Sequence, residues 1–544
     1  MNSKFLVVLL LALPLAPLSQ AAASSPAQAA HVLNRLAFGP RPGDIARVEA
    51  VGVDRYIEAQ LDPESIALPD ALRHKLDAIE TDRDSAGHTL AAFLDARAAA
   101  RQGDQEGRKA AVARIAEQTA QARLLRAVES PRQLQEVMVD FWFNHFNVFA
   151  GKGLDRALIN AYERDAIRPN ALGKFRTLLG ATARDPAMLF YLDNWLSAAD
   201  ARSAVKAGAP AGQKSKAAGL NENYARELLE LHTLGVDGGY TQADVTTLAR
   251  MMTGWSFRPR ALAQDNLGFR FEAARHDDGA KTWLGRPVTV QGQAEGEFAL
   301  DVLARHPATA RRLSHQLAQY FLQDAPPAAL VERMTQRYLN SDGDIRSVLH
   351  LLFFSREFRD PASAGKKFKT PYRYVISAVR ATGAPLVNVR PLVNALNQLG
   401  MPLYGCQTPD GYKNTEAAWL SPDALTRRLG FATTLASGRL RLASASVADV
   451  QPSGTAETRT TATAVIGMHA PSAAQGDDAT GMMAAGLTEG PGAAMTVTAP
   501  MVDDVALAQT LGPLISPQTL ALAARNAGKL RAALLLGSPD FMQH

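Results

Sequence analysis

Apolar residues recur at intervals of three and four along most of the chain, the spacing of one helix face. Ile345, Val348, Leu349 and Leu352 show it compactly. The same spacing predicts helices over 131–149, 221–234, 242–254, 308–322, 327–340 and 344–358. Residues 44–61 read as one amphipathic helix, with Asp44 as its N-cap after Pro42-Gly43. Residues 88–128 are rich in Ala, Arg, Glu and Gln, which favour helix and leave a polar face. Gly235 ends one helix, Gly238-Gly239 make a turn, and Thr241 with Asp244 opens the next as a capping box. Strand signals are few. Phe269-Arg270-Phe271 alternates, Val288-Thr289-Val290 is β-branched, and Asp278-Gly279 reads as the turn between them. The expected fold is therefore mainly α: a multi-helix array of packed helical hairpins with one small β-hairpin.

Two stretches break the helical pattern. Residues 200–219 are Ala, Gly, Lys and Ser without period, and residues 444–502 are dominated by Ala, Thr, Gly, Ser and Pro. Neither holds enough apolar surface to offset the entropy of ordering. From 516 to 542 the helical pattern returns. The expected division is a signal peptide over 1–30, a main helical domain over 31–443 with a flexible insertion at 200–219, a disordered insertion over 444–502, and C-terminal helices over 503–544 that close the main domain.

The first thirty residues carry the strongest single signal. Lys4 gives a positive start, an apolar run extends from Phe5 to Leu18, and small residues follow from Ala21 to Ala30. That order marks a Sec-type secretory signal, with cleavage after Ala23 or Ala30, and a periplasmic or secreted protein. No later segment is long enough to span a bilayer. Of the 544 residues only Cys406 is a cysteine, so no internal disulfide can form and a large core must hold the fold. The net charge of +5 is spread thinly, which argues against a nucleic-acid partner. The densest basic run is Lys366, Lys367, Lys369 and Arg373, interleaved with Phe368, Tyr372 and Tyr374. It reads as the solvated start of a helix rather than a polyanion site.

Three segments could carry chemistry. On a helical wheel Leu134, Met138, Phe141, His145 and Phe149 share a stripe, which buries His145, while Asp140, Asn144 and Asn147 gather on another side. A buried histidine needs a hydrogen-bond partner or a metal, so His145 is either a bonded core residue or an acid–base or ligand group. Asn223, Arg226, Glu227 and Glu230 cluster on one narrow helix face. They could bind a cation or do acid–base work, or Glu222, Arg226 and Glu230 could form an ordinary i, i+4, i+8 ion-pair ladder. In the ladder Arg226 serves Glu230, which leaves Glu227 the freer carboxylate. His232 sits near the end of that helix, where the dipole favours the protonated imidazole. Finally, His276-Asp277-Asp278-Gly279-Ala280-Lys281 could face a cleft, or form a polar turn. No zinc helix, nucleophile elbow, Walker loop or dinucleotide glycine fingerprint occurs.

Together these segments resemble the bacterial family called domain of unknown function 1800. The resemblance rests on Leu33-Asn34-Arg35-Leu36-Ala37-Phe38-Gly39, Phe141 to Asn147, Asn221 to Gly235 with Gly239-Tyr240-Thr241 and Thr253-Gly254-Trp255, and His276-Asp277-x-Gly279-x-Lys281. It continues through Lys369-Thr370-Pro371, Pro409-Asp410-Gly411-Tyr412 with Trp419, and Leu535 to Met542. Only 200–219 and 444–502 fall outside it. The resemblance implies an exported helical protein and brings no reaction with it. It also suggests a partner, an exported sulfatase-like protein of the family called domain of unknown function 1501. Two functions stay open. One is a binding or maturation partner of that neighbour. The other is a periplasmic hydrolase or metal-dependent enzyme with a site built from His145, Glu227, Glu230, His276 and Lys281. Meeting in one concave pocket would favour the enzyme; separate pairing would favour the binder.

Overall fold

A computed structural model describes residues 24–199, 219–443 and 501–544. Residues 1–23, 200–218 and 444–500 lie outside the described residues, and with them most of the expected signal peptide and of both expected insertions.

The expected mainly α architecture is what the chain adopts, and its helices pack largely as hairpins. Ala86–Arg101 folds back on Gln105–Glu129, Glu222–Glu230 on Gln242–Met251, and Pro307–Phe321 on Ala328–Asn340. Glycine sets two breaks that periodicity missed. Gly52, at φ 94°, divides 44–61 into Asp44–Val51 and Val53–Leu61. Gly103, at φ 112°, turns the chain between the two long helices. Asp44 is the first helical residue rather than the cap.

At the centre lies Gln133–His145, of which every residue but Asn144 is buried. It is too polar to be buried for apolar reasons alone, and its polar side chains are individually satisfied. Gln133 donates to the carbonyls of Ala127 and Ser130 and accepts from the Phe38 amide. Glu136 pairs with Arg168 at 2.6 Å. Trp142 donates its indole N–H to the Ala171 carbonyl at 2.8 Å.

The β structure is two small antiparallel pairs. Trp255–Phe257 pairs with Phe269–Phe271, and Thr282–Trp283 pairs with Arg286–Pro287. The expected pairing of 269–271 with 288–290 does not occur. Leu284 and Gly285, both at positive φ, make the tight turn instead of Asp278-Gly279. The Trp255–Phe257 segment, buried throughout, offered no alternation to read.

Two ends of the described chain are tied down. Gly528–Leu536 packs on Pro422–Ala436, and Asp504–Leu511 packs on Pro371–Thr382. The main chain of 367–369 then pairs with 542–544. At the other end the helix Pro26–Leu36 starts with a capping box between Ser25 and Gln28, and Ser24 accepts the Val53 amide at 2.9 Å. Ala29 and Ala30 are 0% and 1% exposed. Residues 24–30, which the sequence placed within the signal peptide, are therefore part of the packed body.

This has a measurable consequence. A chain starting at Ser24 keeps the cap and both methyls. A chain starting at His31 loses about 2–4 kcal/mol, from a cap worth ~1 and two buried methyls worth ~0.8 each plus the shortened helix. Equal melting temperatures for the two chains would show that the first helical turn contributes nothing.

Candidate functional site

His145 closes the central helix and opens onto a cleft of about 310 Å³. The floor is Asp140, Phe141, Asn144 and His145. One wall is a stripe on Pro307–Phe321 made of Arg312, Gln316, Gln319 and Tyr320. Their i, i+4, i+7, i+8 spacing puts them on one helix face. The facing wall is the segment 401–414, with Met401, Asp410, Tyr412, Lys413 and Asn414. The apolar stripe of 308–322 was visible in the sequence. The polar stripe beside it was the overlooked signal.

That second wall is fastened from below. Asn144 donates to the Tyr412 carbonyl at 2.8 Å and accepts the Tyr412 amide at 2.7 Å. Asn147 donates to the carbonyls of Cys406 and Thr408 at 3.0 and 2.9 Å. The polar side of the 140–147 segment is thus a clamp for a loop. Gly411 is required by this closeness. Its φ is +66°, and a Cβ there would lie 2.2 Å from the Asn144 carbonyl oxygen.

His145 is 8% exposed, and its Nε2 lies 3.1 Å from the His232 carbonyl oxygen. Burial, then Arg312, push its imidazole down to about 3. His232 is 1% exposed and is driven well below its ordinary value by burial, then by His145 and Arg312. The helix-end argument for a protonated His232 is overturned: with its ring buried against His145 and Phe146, desolvation outweighs the dipole. Both histidines are neutral.

On Glu222–Glu230 the ladder forms only in its first rung. Arg226 approaches Glu222 at 3.5 Å and donates to Gln242. Glu222 is further held by Gln242 and Thr246. Glu230 turns instead toward Tyr240, to which it is hydrogen-bonded, and Arg312. Glu227 is half-buried one turn before Leu231, which lines the cleft. Burial raises its carboxyl above the ordinary range, and the charges of Glu230 and of Asp410 add to the rise. Asp410 is held below its usual range, against burial, by hydrogen bonds from Lys413 and Thr408.

The other two candidates stand apart. Lys281 is buried, pairs with Glu295 at 2.9 Å and donates to the carbonyls of Asp277 and Gly279. His276 lies 3.5 Å from Glu295, and its Nδ1 is 2.9 Å from the Thr253 carbonyl oxygen. Asp277 is engaged by Arg250 at 2.9 Å. This knot fastens the chain before the Thr282–Trp283 strand to the helix Gln293–Ala304. It shares no contact with His145, Glu227 or Glu230. Among the described residues no group of three or more His, Cys, Asp or Glu side chains could hold a metal ion.

Two outcomes follow. Gly411→Ala should lose about 2–4 kcal/mol in chemical denaturation, because strain at positive φ of ~1 kcal/mol adds to a backbone clash. The histidines make stability fall in acid. Their folded pKa values lie below that of an unfolded histidine, so the unfolded chain binds the proton first. For His145 the stability from staying neutral is complete above about pH 6.5 and declines toward pH 3, at ~1.4 kcal/mol per pH unit, and His232 adds in the same direction. His145→Gln should remove one such slope. An unchanged acid limb in that variant would mean the imidazole titrates freely.

Residues 31–543 match the family model described as Protein of unknown function (DUF1800). Comparison with curated proteins and with solved structures gives no match.

Proposed function

The chain belongs to the DUF1800 family, and on that footing we propose that it is an exported protein whose cleft binds a polar segment of another exported protein. The supporting observation is the division of the five candidate residues. His276 and Lys281 are engaged with Glu295 in a separate knot. His145, Glu227 and Glu230 remain near a cleft whose wall presents amides and a guanidinium: Gln316, Gln319, Arg312. Such a surface suits hydrogen-bonded recognition. On this reading the partner is the sulfatase-like neighbour that the family resemblance suggested. Export rests on the charged, apolar and small-residue order of residues 1–23, and cleavage after Ala23 leaves the Ser25 cap intact. No described helix is long and apolar enough to cross a membrane.

One observation keeps the hydrolase reading as a second. Glu227 has a raised carboxyl beside a cleft that also holds His145, an arrangement open to general acid–base work.

Glu227→Gln tests both. A carboxyl raised in the fold lends stability at low pH that is lost as pH rises through its folded value. The amide should therefore match or exceed the wild-type melting temperature at pH 7, by about 1–2 °C, with the gain fading in acid. Partner capture by the immobilised protein should weaken about tenfold, a loss of ~1.4 kcal/mol. A variant that melts normally and captures the partner fully would remove Glu227 from the site. Loss of a hydrolytic activity with capture intact would favour the second reading.

A further inference from the structure

The basic run at 366–373 is not the solvated helix start that its composition suggested. Only Lys366 is exposed; Lys367, Lys369 and Arg373 are 1%, 1% and 3% exposed. They are covered by the chain end, whose residues 542–544 pair with 367–369. Arg35 at 0% and Arg428 at 1% complete the group, and His544 packs among them. Each lies within Coulombic reach of others in the group.

Other buried cations among the described residues have carboxylates. Arg123 has Asp140 and Glu163, Arg168 has Glu136 and Glu163, Arg380 has Asp44, and Lys281 has Glu295. Here the pattern fails. Lys367 pairs with Asp324. Arg373 donates to the carbonyls of Asn34, Ala37 and Arg35, at the end of the helix Pro26–Leu36, and also feels Asp140. Lys369 donates to the Ser377 hydroxyl and sits 4.0 Å from the Phe541 ring centre. Arg35 and Arg428 each reach one carbonyl, of Ser363 and of Lys369. The buried Nε and Nη1 of Arg35, Nη1 of Arg428 and Nδ1 of His544 have no partner. Several unmatched cations and idle N–H donors in one buried place carry a large desolvation penalty. An oxyanion removes it, because its oxygens suit guanidinium forks and it cancels the mutual repulsion.

We propose that Arg35, Lys369, Arg373 and Arg428 form a buried oxyanion site, taking a carboxylate or a small inorganic anion of phosphate or sulfate type. Burial and the neighbouring cations otherwise push Arg35 down to about 9 and Lys369 well below its ordinary value. The anion enters from solution.

Calorimetric titration and thermal melting with inorganic phosphate, against chloride at equal ionic strength, test this. A solution anion gives binding near one per chain and a melting temperature raised by about 2 °C or more at millimolar phosphate. That response disappears in Lys369→Met, which removes the ammonium and keeps the bulk. The proposal is overturned if phosphate has no effect, or if the phosphate response persists unchanged in Lys369→Met. Should Lys369→Met fail to fold, Arg428→Gln serves as the second variant with the same readout.

Discussion

The interaction on which most else depends is the burial of the Arg123 guanidinium. It pairs with Asp140 at 2.7 Å and Glu163 at 2.9 Å, and lies 5.0 Å from the ring centres of Phe143, Tyr372 and Tyr404. Taking such a charge from water is costly unless every N–H finds an acceptor and the ring faces offer their negative potential. Those conditions recruit distant segments to one point. Asp140 comes from the central helix, Glu163 from the π-helical turn Tyr162–Ile167, Tyr372 from Pro371–Thr382, and Tyr404 from the loop beyond 400. The wide π turn is local strain of a kind often kept where a side chain must be aimed. Here it carries Glu163, which Arg123 and Arg168 hold ionised against burial.

The cleft inherits its shape from this charge. Tyr404 donates to Glu163 at 2.9 Å while holding φ at +57°, a conformation that costs a non-glycine residue about 1 kcal/mol. From that anchored point the chain runs into the loop held by Asn144 and Asn147. Tyr320, on the opposite wall, donates to Asp140 at 3.1 Å. Both walls are therefore bonded to the two carboxylates of one arginine. Removing either acid would leave Arg123 partly unmatched and would loosen one wall at the same time.

Sequence reading recovered what depends on local periodicity and missed what depends on long-range company. The helices, the Thr241 capping box and the burial of His145 follow from spacing along a few turns, and the structure shows each of them. Arg226 at i−4 is the partner for Glu230 that spacing offers; Tyr240, ten positions on, is the one it hydrogen-bonds. Lys367 and Lys369 looked solvated because they sit in a run of charge, and the cover arrives from 542–544. His276 and Lys281 looked exposed enough to serve a site, and Glu295 turns them inward. In each case a charged side chain chose its partner by tertiary proximity, which an isolated sequence does not encode in its spacing.

The three charged clusters differ in one physical respect that bears on function. Around Arg123 the guanidinium meets two acids, which makes a rigid base. Around Glu295, Lys281 meets its acid, and the result is a structural tie. Beside the cleft, Glu227 feels Glu230 and Asp410 with like charge and Arg226 with opposite charge, while Arg312 has its Nε buried and without a partner. Unbalanced polar groups set on a rigid base are a stability liability that a bound molecule can relieve. A ligand that donates to Glu227 and accepts from Arg312 would gain from both. The cleft therefore has interactions left to make, and on the proposed reading an extended polypeptide main chain, with donors and acceptors side by side, would make them.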